Sequence, residues 1–313
     1  MQTLTGISFA ASEYASKYLL KEIISQPEFW SCDDGEIQGA IRKGFIDCHY
    51  NMWKASRDWP QSSPGIICTA GTTASVAFIR RGKVYVGHVG DSGIALGKIN
   101  EYQNHIRATT DSVLNRSVAL PASKAESHFE AMMLTKDHKP ESAEEKERIE
   151  ALGGEVRNKS GVYRVVWKRP MISSNGPSGL SLGSQDSDMA LVPEVMPTPI
   201  NPVPFLAVAR SLGDFWSYEE EKNDFVVSPV PDVSVHSFTL PKHRCLIAGS
   251  DGLWNVIRPA ECLDIVEETY RLQVRKTSLN ICLTMDDIKI SILILVFGLA
   301  RKETRYLIQT YSN

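Results

Sequence analysis

The sequence predicts an α+β domain built in layers, on three observations. Two segments with apolar residues at helical spacing open the chain. A succession of short apolar, strand-like runs follows, joined by turn signals. A further helical segment comes after the run at 245–249. At 313 residues, with 42% hydrophobic and 23% charged, the chain allows one large or two small domains around a sizeable core. The expected division is a main domain over residues 1–270, carrying a proline-rich insert at 170–204, and a separate C-terminal segment at 271–313.

In chain order, residues 9–25 read as an amphipathic helix through Tyr14, Tyr18, Leu19 and Ile23. Residues 36–58 read as a second, with Ile37, Ile41, Phe45, Met52 and Trp53 on one side and Asp33 or Asp34 as its cap. Pro60 to Gly65 reads as a loop. Three strands are expected next, Thr72 to Ile79, Val84 to Val89 and Gly93 to Leu96, with Arg80-Arg81-Gly82-Lys83 as a hairpin turn. Residues 72–98 are expected to form adjacent antiparallel strands. Residues 99–130 are polar and give no assignment. Glu141 to Leu152 is a charged helix ended by Gly153-Gly154. Val162 to Trp167 reads as a strand. Residues 170–204 hold seven prolines and little periodicity, so they read as an unpacked, protease-sensitive loop. Strands are expected at 205–209, 233–239 and 245–249, and a helix at 259–273. The apolar run Ile290 to Ala300 is about half the length of a membrane helix and, rich in Ile, Leu and Val, reads as a buried strand.

Two of these runs end alike. Tyr85-Val86-Gly87-His88-Val89 leads into Gly90-Asp91-Ser92, and Cys245-Leu246-Ile247-Ala248 leads into Gly249-Ser250-Asp251-Gly252-Leu253-Trp254. Each places a carboxylate at a sheet edge among small residues. A pair of such acids suits a hard cation, Mg²⁺ or Mn²⁺, with room for water and phosphate; taken singly, each acid also suits a turn cap.

Further strings stand around them in a fixed order: Gly71-Thr72-Thr73-Ala74, Leu134-Thr135-Lys136-Asp137-His138-Lys139-Pro140, Glu145-Lys146-Glu147-Arg148-Ile149, Leu152-Gly153-Gly154, Leu206-Ala207-Val208-Ala209-Arg210-Ser211-Leu212-Gly213-Asp214 and Val230-Pro231-Asp232. The ordered set resembles the metal-dependent protein serine/threonine phosphatases of type 2C, over about residues 9–270. Trp167-Lys168-Arg169-Pro170 and the insert after it look most like the delta member of the magnesium/manganese-dependent group.

The resemblance implies two packed antiparallel β-sheets flanked by helices, incomplete here at both ends. It implies Mg²⁺ or Mn²⁺ as cofactor, with Asp251 binding metal in the core and Asp91 an additional metal with help from Asp251. Asn255 stands where many members carry another acid. The implied chemistry is attack by a metal-activated water on phosphoserine or phosphothreonine, between two ions about 4 Å apart. Phosphorylated proteins are the implied partners. Lys168 and Arg169 are candidates for attracting such a substrate, with a solvated basic pair as the other reading.

The chain also departs from the family pattern. Where the family carries DGHGG it reads Leu4-Thr5-Gly6-Ile7-Ser8, so the family's acid histidine is missing and no catalytic side chain is assigned. The family's closing DN-x-S string has only Met285-Asp286-Asp287-Ile288-Lys289-Ile290-Ser291 as its nearest substitute, one residue out of register, with Asp286 and Asp287 as candidates for the last ligand position. The small residues at Gly71–Ala74 are expected to let a strand start close to the metal edge, Asp137 and His138 to shape a turn, and Asp214 to cap a turn or hold the adjacent arginine.

The remaining composition narrows the setting. A net charge of −3 argues against a nucleic-acid binder. Six cysteines without C-x-x-C spacing fit a reduced intracellular protein, nuclear or cytoplasmic, better than a disulfide or zinc framework. No secretory signal or membrane span is read, and a monomer is expected. Gly90-Asp91-Ser92-Gly93 resembles a serine-protease nucleophile string, but Ile94-Ala95-Leu96 follows it and no matching histidine context precedes it. Two functions remain in view: a metal-dependent phosphatase with impaired turnover, and an inactive phosphatase-like binding or regulatory protein.

Overall fold

The computed structural model describes residues 9–59, 69–99, 129–170, 200–239, 242–276, 291–298 and 304–310. Helices α1 (Ala10–Ile24) and α2 (Asp34–Ala55) come first, then strands β1 (Gly71–Arg80), β2 (Lys83–Val89), β3 (Gly93–Ile99) and β4 (Phe129–Met133). Helix α3 (Ala143–Ala151) leads to β5 (Val156–Lys159), β6 (Val162–Pro170), β7 (Ile200–Leu206), β8 (Leu212–Gly213), β9 (Tyr218–Glu219) and β10 (Asp224–Phe225). The rest comprises β11 (Asp232–Ser237), β12 (His243–Gly249), α4 (Asp251–Trp254), α5 (Pro259–Lys276), β13 (Ser291–Gly298) and β14 (Thr304–Thr310).

Local chemistry explains the ends of several elements. The Asp33 carboxylate accepts from Glu36 N at 2.9 Å and so caps α2. Arg81 and Gly82 both take positive φ, 51° and 70°, as a two-residue turn between β1 and β2 requires. Gly153, at φ 75°, ends α3 in the left-handed conformation that glycine adopts without penalty.

The strands form two main antiparallel sheets. One has the order β11–β2–β1–β13–β14, with β8 also on β1; the other has the order β12–β3–β4. Period-two alternation on β1 and β2 serves both faces. Val76, Phe78 and Tyr85 pack with Ile41, Phe45 and Met52 of the helices. Ala77, Val84 and Val86 meet Ile94 and Leu96 of the second sheet, and Leu134 just beyond β4. Burying Phe45 and Phe78 completely contributes roughly 1.5–3 kcal/mol each. Helix α2 lies close on β2 because Gly87 leaves the space; a Cβ there would stand 2.6 Å from Ile41 Cγ2.

The expected sandwich with flanking helices is therefore present, with corrections inside it. β3 does not extend the β1–β2 hairpin; it crosses to the second sheet and pairs with β12 and β4. The turn at Gly90, φ 102°, redirects the chain, and a side chain there would strike Thr73 Cγ2 at 2.2 Å. Residues 200–204, expected as loop, belong to β7 on the edge of the three-stranded sheet β5–β6–β7, where Pro202 and Pro204 forfeit no interior ladder bond. The strand expected at 205–209 stops at Leu206, and 207–209 turn away so that Ala209 N reaches His138 O. β4, β5 and β14 had no clear sequence signal. The apolar run near the C-terminus is strand β13, antiparallel to β1. Residues 171–199 of the insert and the loop at 60–65 lie outside the described residues.

Candidate functional site

The β3–β12 pair assembles the site. Its register sets Gly93 against Gly249. Asp91 lies two residues before the first and Asp251 two after the second, so both acids leave the same end of one strand pair. Asp251 is the exposed first residue of α4, and Asn255 follows one turn later, donating its backbone N–H to the Asp251 carbonyl at 2.9 Å. Trp254 ties α4 down by donating Nε1–H to the Gly93 carbonyl at 3.1 Å.

A lysine sits among these carboxylates. Lys139 Nζ lies 2.5 Å from Asp91 Oδ2 and 3.8 Å from Asp137 Oδ2. Asp91 is only 12% exposed and Lys139 34%, so the pair is partly shielded from water. Burial works against the Lys139 charge, but the Asp91 hydrogen bond and the charges of Asp91, Asp137 and Asp251 outweigh it and raise its pKa. The Asp137 carboxyl is raised by burial against the opposing pull of Lys139, with Asp91 and Asp251 adding to the rise.

Behind this loop runs a chain of polar and charged groups. Gly90 N–H donates to His138 Nδ1 at 3.0 Å, which fixes the backbone beside Asp91. His138 Nε2 stands 3.2 Å from Asp232 Oδ2, off the axis of a good hydrogen bond. The His138 ring stacks on His88 at 4.8 Å, and His88 Nδ1 shares a hydrogen bond with Ser75 Oγ at 2.9 Å. Burial first, then the neighbouring His138, pushes the His88 pKa down to about 3. Asp232 is held well below the usual carboxylate range, first by the His138 imidazole and then, against burial, by Arg210. Arg210 bridges Asp232, at 2.9 Å, to the buried Glu145, at 2.5 Å, and Glu145 also accepts from Arg148. The turn reading of Asp137 and His138 is consistent with this geometry, but the histidine also couples α3 to the Asp91 loop.

Asp214 does not hold the adjacent arginine, because Arg210 is committed to Glu145 and Asp232. Instead it is buried at φ 52°, accepting from Ser211 Oγ at 2.6 Å and Trp216 Nε1 at 2.9 Å. Burial raises its pKa to about 6, against the opposing effect of those two donors. A carboxyl whose pKa is higher folded than unfolded binds its proton more tightly in the native state. Its contribution is full below about pH 4 and is lost as pH rises to about 6, a span worth about 3 kcal/mol. Asp214→Asn is therefore expected to flatten this part of the stability profile. Urea midpoints of both proteins at pH 5 and 7 check it; equal pH dependence for the two would refute the assignment.

Lys168 and Arg169 stand on β6, in a different sheet from the β3–β12 pair. Lys168 Nζ donates to the Gly153 carbonyl at 2.9 Å, and Arg169 stands over the Trp167 ring at 5.6 Å. Asp286 and Asp287 lie outside the described residues. Among the described residues, no group of three or more His, Cys, Asp or Glu side chains is placed to hold a metal ion. Asp91 and Asp137 meet Lys139 instead, so these carboxylates do not fit a metal as they stand. Sequence reading missed Lys139, Glu145 and Arg210 as parts of the site, although their strings are all present.

The fold and this edge of acids define a phosphatase-type sandwich, and comparison with known proteins agrees. The profile of the family described as protein phosphatase 2C matches residues 5–284, and the chain belongs to that family. A probable protein phosphatase 2C of Caenorhabditis elegans is 26% identical over 274 residues, covering 87% of this chain and 54% of the relative. Another from Arabidopsis thaliana is 26% identical over 204 residues, covering 64% of this chain and 40% of the relative. The chain thus spans about half the length, or less, of these relatives. Among solved structures, a serine-threonine phosphatase 2C from Toxoplasma gondii superposes with a TM-score of 0.55 at 21% identity, covering 84% of this chain and 71% of the other. A C. elegans sex determining protein superposes with a TM-score of 0.51 at 16% identity, covering 83% and 44%. At these identities the likeness is one of fold.

Proposed function

We propose that this chain is a protein serine/threonine phosphatase acting on phosphoserine and phosphothreonine in protein substrates, with Mg²⁺ or Mn²⁺ as its cation and weak turnover. The observation that carries the reading is that Asp91 and Asp251 leave the same end of the β3–β12 pair, inside a type 2C fold. The Trp167–Pro170 string supports an affinity to the delta member of the family. Among the described residues, the thiols of Cys32, Cys48 and Cys262 form no disulfide, which supports a reducing compartment, nuclear or cytoplasmic.

Two observations favour a second reading, a phosphatase-like protein that binds partners without turnover. Asp91 is engaged by Lys139, and Asn255 supplies no charge where an acid would. Phosphopeptide hydrolysis at millimolar Mn²⁺, for the purified chain beside Asp251→Ala, separates the two. The expected result is slow, Mn²⁺-dependent hydrolysis that Asp251→Ala reduces to background. Equal, negligible rates for both proteins would remove the phosphatase reading and support the binding one. Turnover untouched by Asp251→Ala would remove Asp251 from the site.

A further inference from the structure

Lys139 is held in place by its backbone and not only by its charge. His138 N–H donates to the Gly90 carbonyl at 2.9 Å, and Gly90 N–H returns a bond to His138 Nδ1 at 3.0 Å. Ala209 N–H donates to the His138 carbonyl at 2.8 Å, and both the backbone N–H and the Oγ of Ser142 donate to the Lys139 carbonyl. The segment is thus clamped to the Asp91 loop on one side and to the start of α3 on the other. The Lys139 stem is anchored within reach of Asp91, and the ammonium meets Asp91 Oδ2 at 2.5 Å in a half-shielded setting. This differs from a surface ion pair, whose two long side chains must both be ordered from solution.

A tethered ammonium here has a consequence for any free cation. Asp91 and Asp137 both face Lys139, and Asp251 lies within its electrostatic reach. Two cations drawn to the same oxygen repel each other at a few ångströms, and partial shielding from water strengthens that repulsion. We propose that Lys139 is a built-in competitor for divalent cations at Asp91: the ammonium and the metal exclude one another, and loading requires Lys139 to swing out to solvent. The side chain has the room, being 34% exposed, while Asp91 at 12% does not. Cation loading at this carboxylate is then set by the position of one lysine, which resolves the mismatch between the edge of acids and the lack of a ready metal shell among the described residues. The inference rests on Asp91 as a cation ligand in the function proposed above.

The test is Mn²⁺ binding by the full chain, followed by electron paramagnetic resonance of the free ion and by calorimetry. The proteins are wild type, Lys139→Gln, Lys139→Arg, and Lys139→Gln combined with Asp91→Asn. Lys139→Gln is expected to bind Mn²⁺ about tenfold more tightly than wild type, the order expected from removing one nearby unit charge. Lys139→Arg, which keeps the charge, is expected to show no gain, and adding Asp91→Asn to Lys139→Gln is expected to abolish it. Urea midpoints confirm that each variant is folded. An unchanged or weaker Mn²⁺ affinity in folded Lys139→Gln overturns the proposal, as does an equal gain in Lys139→Arg. Phosphopeptide turnover on the same preparations keeps the two readings apart. A tenfold gain without turnover in any variant leaves Lys139 in its role and ends the phosphatase reading. Asp251-dependent turnover without a gain does the reverse.

Discussion

Glu145→Ala is expected to lower the unfolding free energy by about 3–5 kcal/mol, the range for breaking a buried ion pair from one side. Glu145 is 4% exposed at its side chain and accepts from two guanidinium groups, Arg148 at 2.9 Å and Arg210 at 2.5 Å. Both arginines are themselves mostly covered, at 25% and 17% exposure, so removing the carboxylate leaves two poorly hydrated cations facing each other. Burial alone would raise the Glu145 pKa, yet Arg210 and Arg148 together bring it below its ordinary value. Arg148 also donates to the carbonyls of Val226 and Ala209, at 2.9 and 2.8 Å, so the loss reaches the segments that pack on α3. Glu145→Gln is expected to fall between wild type and alanine, since its amide oxygen still accepts from one arginine. Urea unfolding followed by tryptophan fluorescence measures both. A loss under about 1 kcal/mol for alanine would mean that water already satisfies the arginines, as at a surface pair.

Gly71→Ala is expected to cost about 3 kcal/mol, at the upper end of what overpacking a core usually does. The added Cβ would stand 1.8 Å from Asp214 Oδ2 and 2.3 Å from its Cγ. Asp214 has no direction in which to retreat. Its two oxygens accept from Ser211 and Trp216, its N–H donates to the Ala70 carbonyl at 2.8 Å, and Gly213 before it sits at φ 90° with no room for a side chain. Gly39→Ala serves as the control. It lies on α2 with nothing within 4 Å of the new atom, so it is expected to be neutral or to stabilise by up to about 1 kcal/mol. Thermal and urea unfolding of both variants decide the matter; equal small effects would show that the Asp214 turn yields more readily than its contacts imply.

These two sites show where the sequence was legible. The Gly71–Ala74 string signalled small size, and the structure agrees at Gly71, but the group that demands the space is Asp214, 143 positions on, and not the acid edge. The string containing Glu145 and Arg148 was recognised by its order in the chain, while its partner Arg210 is 65 positions away and leaves no local mark. Lys139 was part of a quoted string and was still missed, because its pairing with Asp91 spans 48 positions.

What the sequence by itself determined is what acts within a few residues. Asp33 capping α2, the Arg81-Gly82 turn and the Gly153 stop after α3 all follow from backbone groups and side chains within a turn of one another. The helical periodicity of the first two segments follows from the burial of one face. Beyond the β1–β2 hairpin, tertiary structure alone decided which strands pair. β1 and β2 are apolar on both faces, so alternation could not say which face meets helices and which meets a second sheet. Nor could it send β3 away from its hairpin neighbour to pair with β12. That crossover sets Gly93 against Gly249 and brings Asp91 and Asp251 to one edge, and the clamp on His138 then delivers Lys139 to the same place. Electrostatic fields reach only a few ångströms with force, so a site built on charge appears only after the chain has closed the distance.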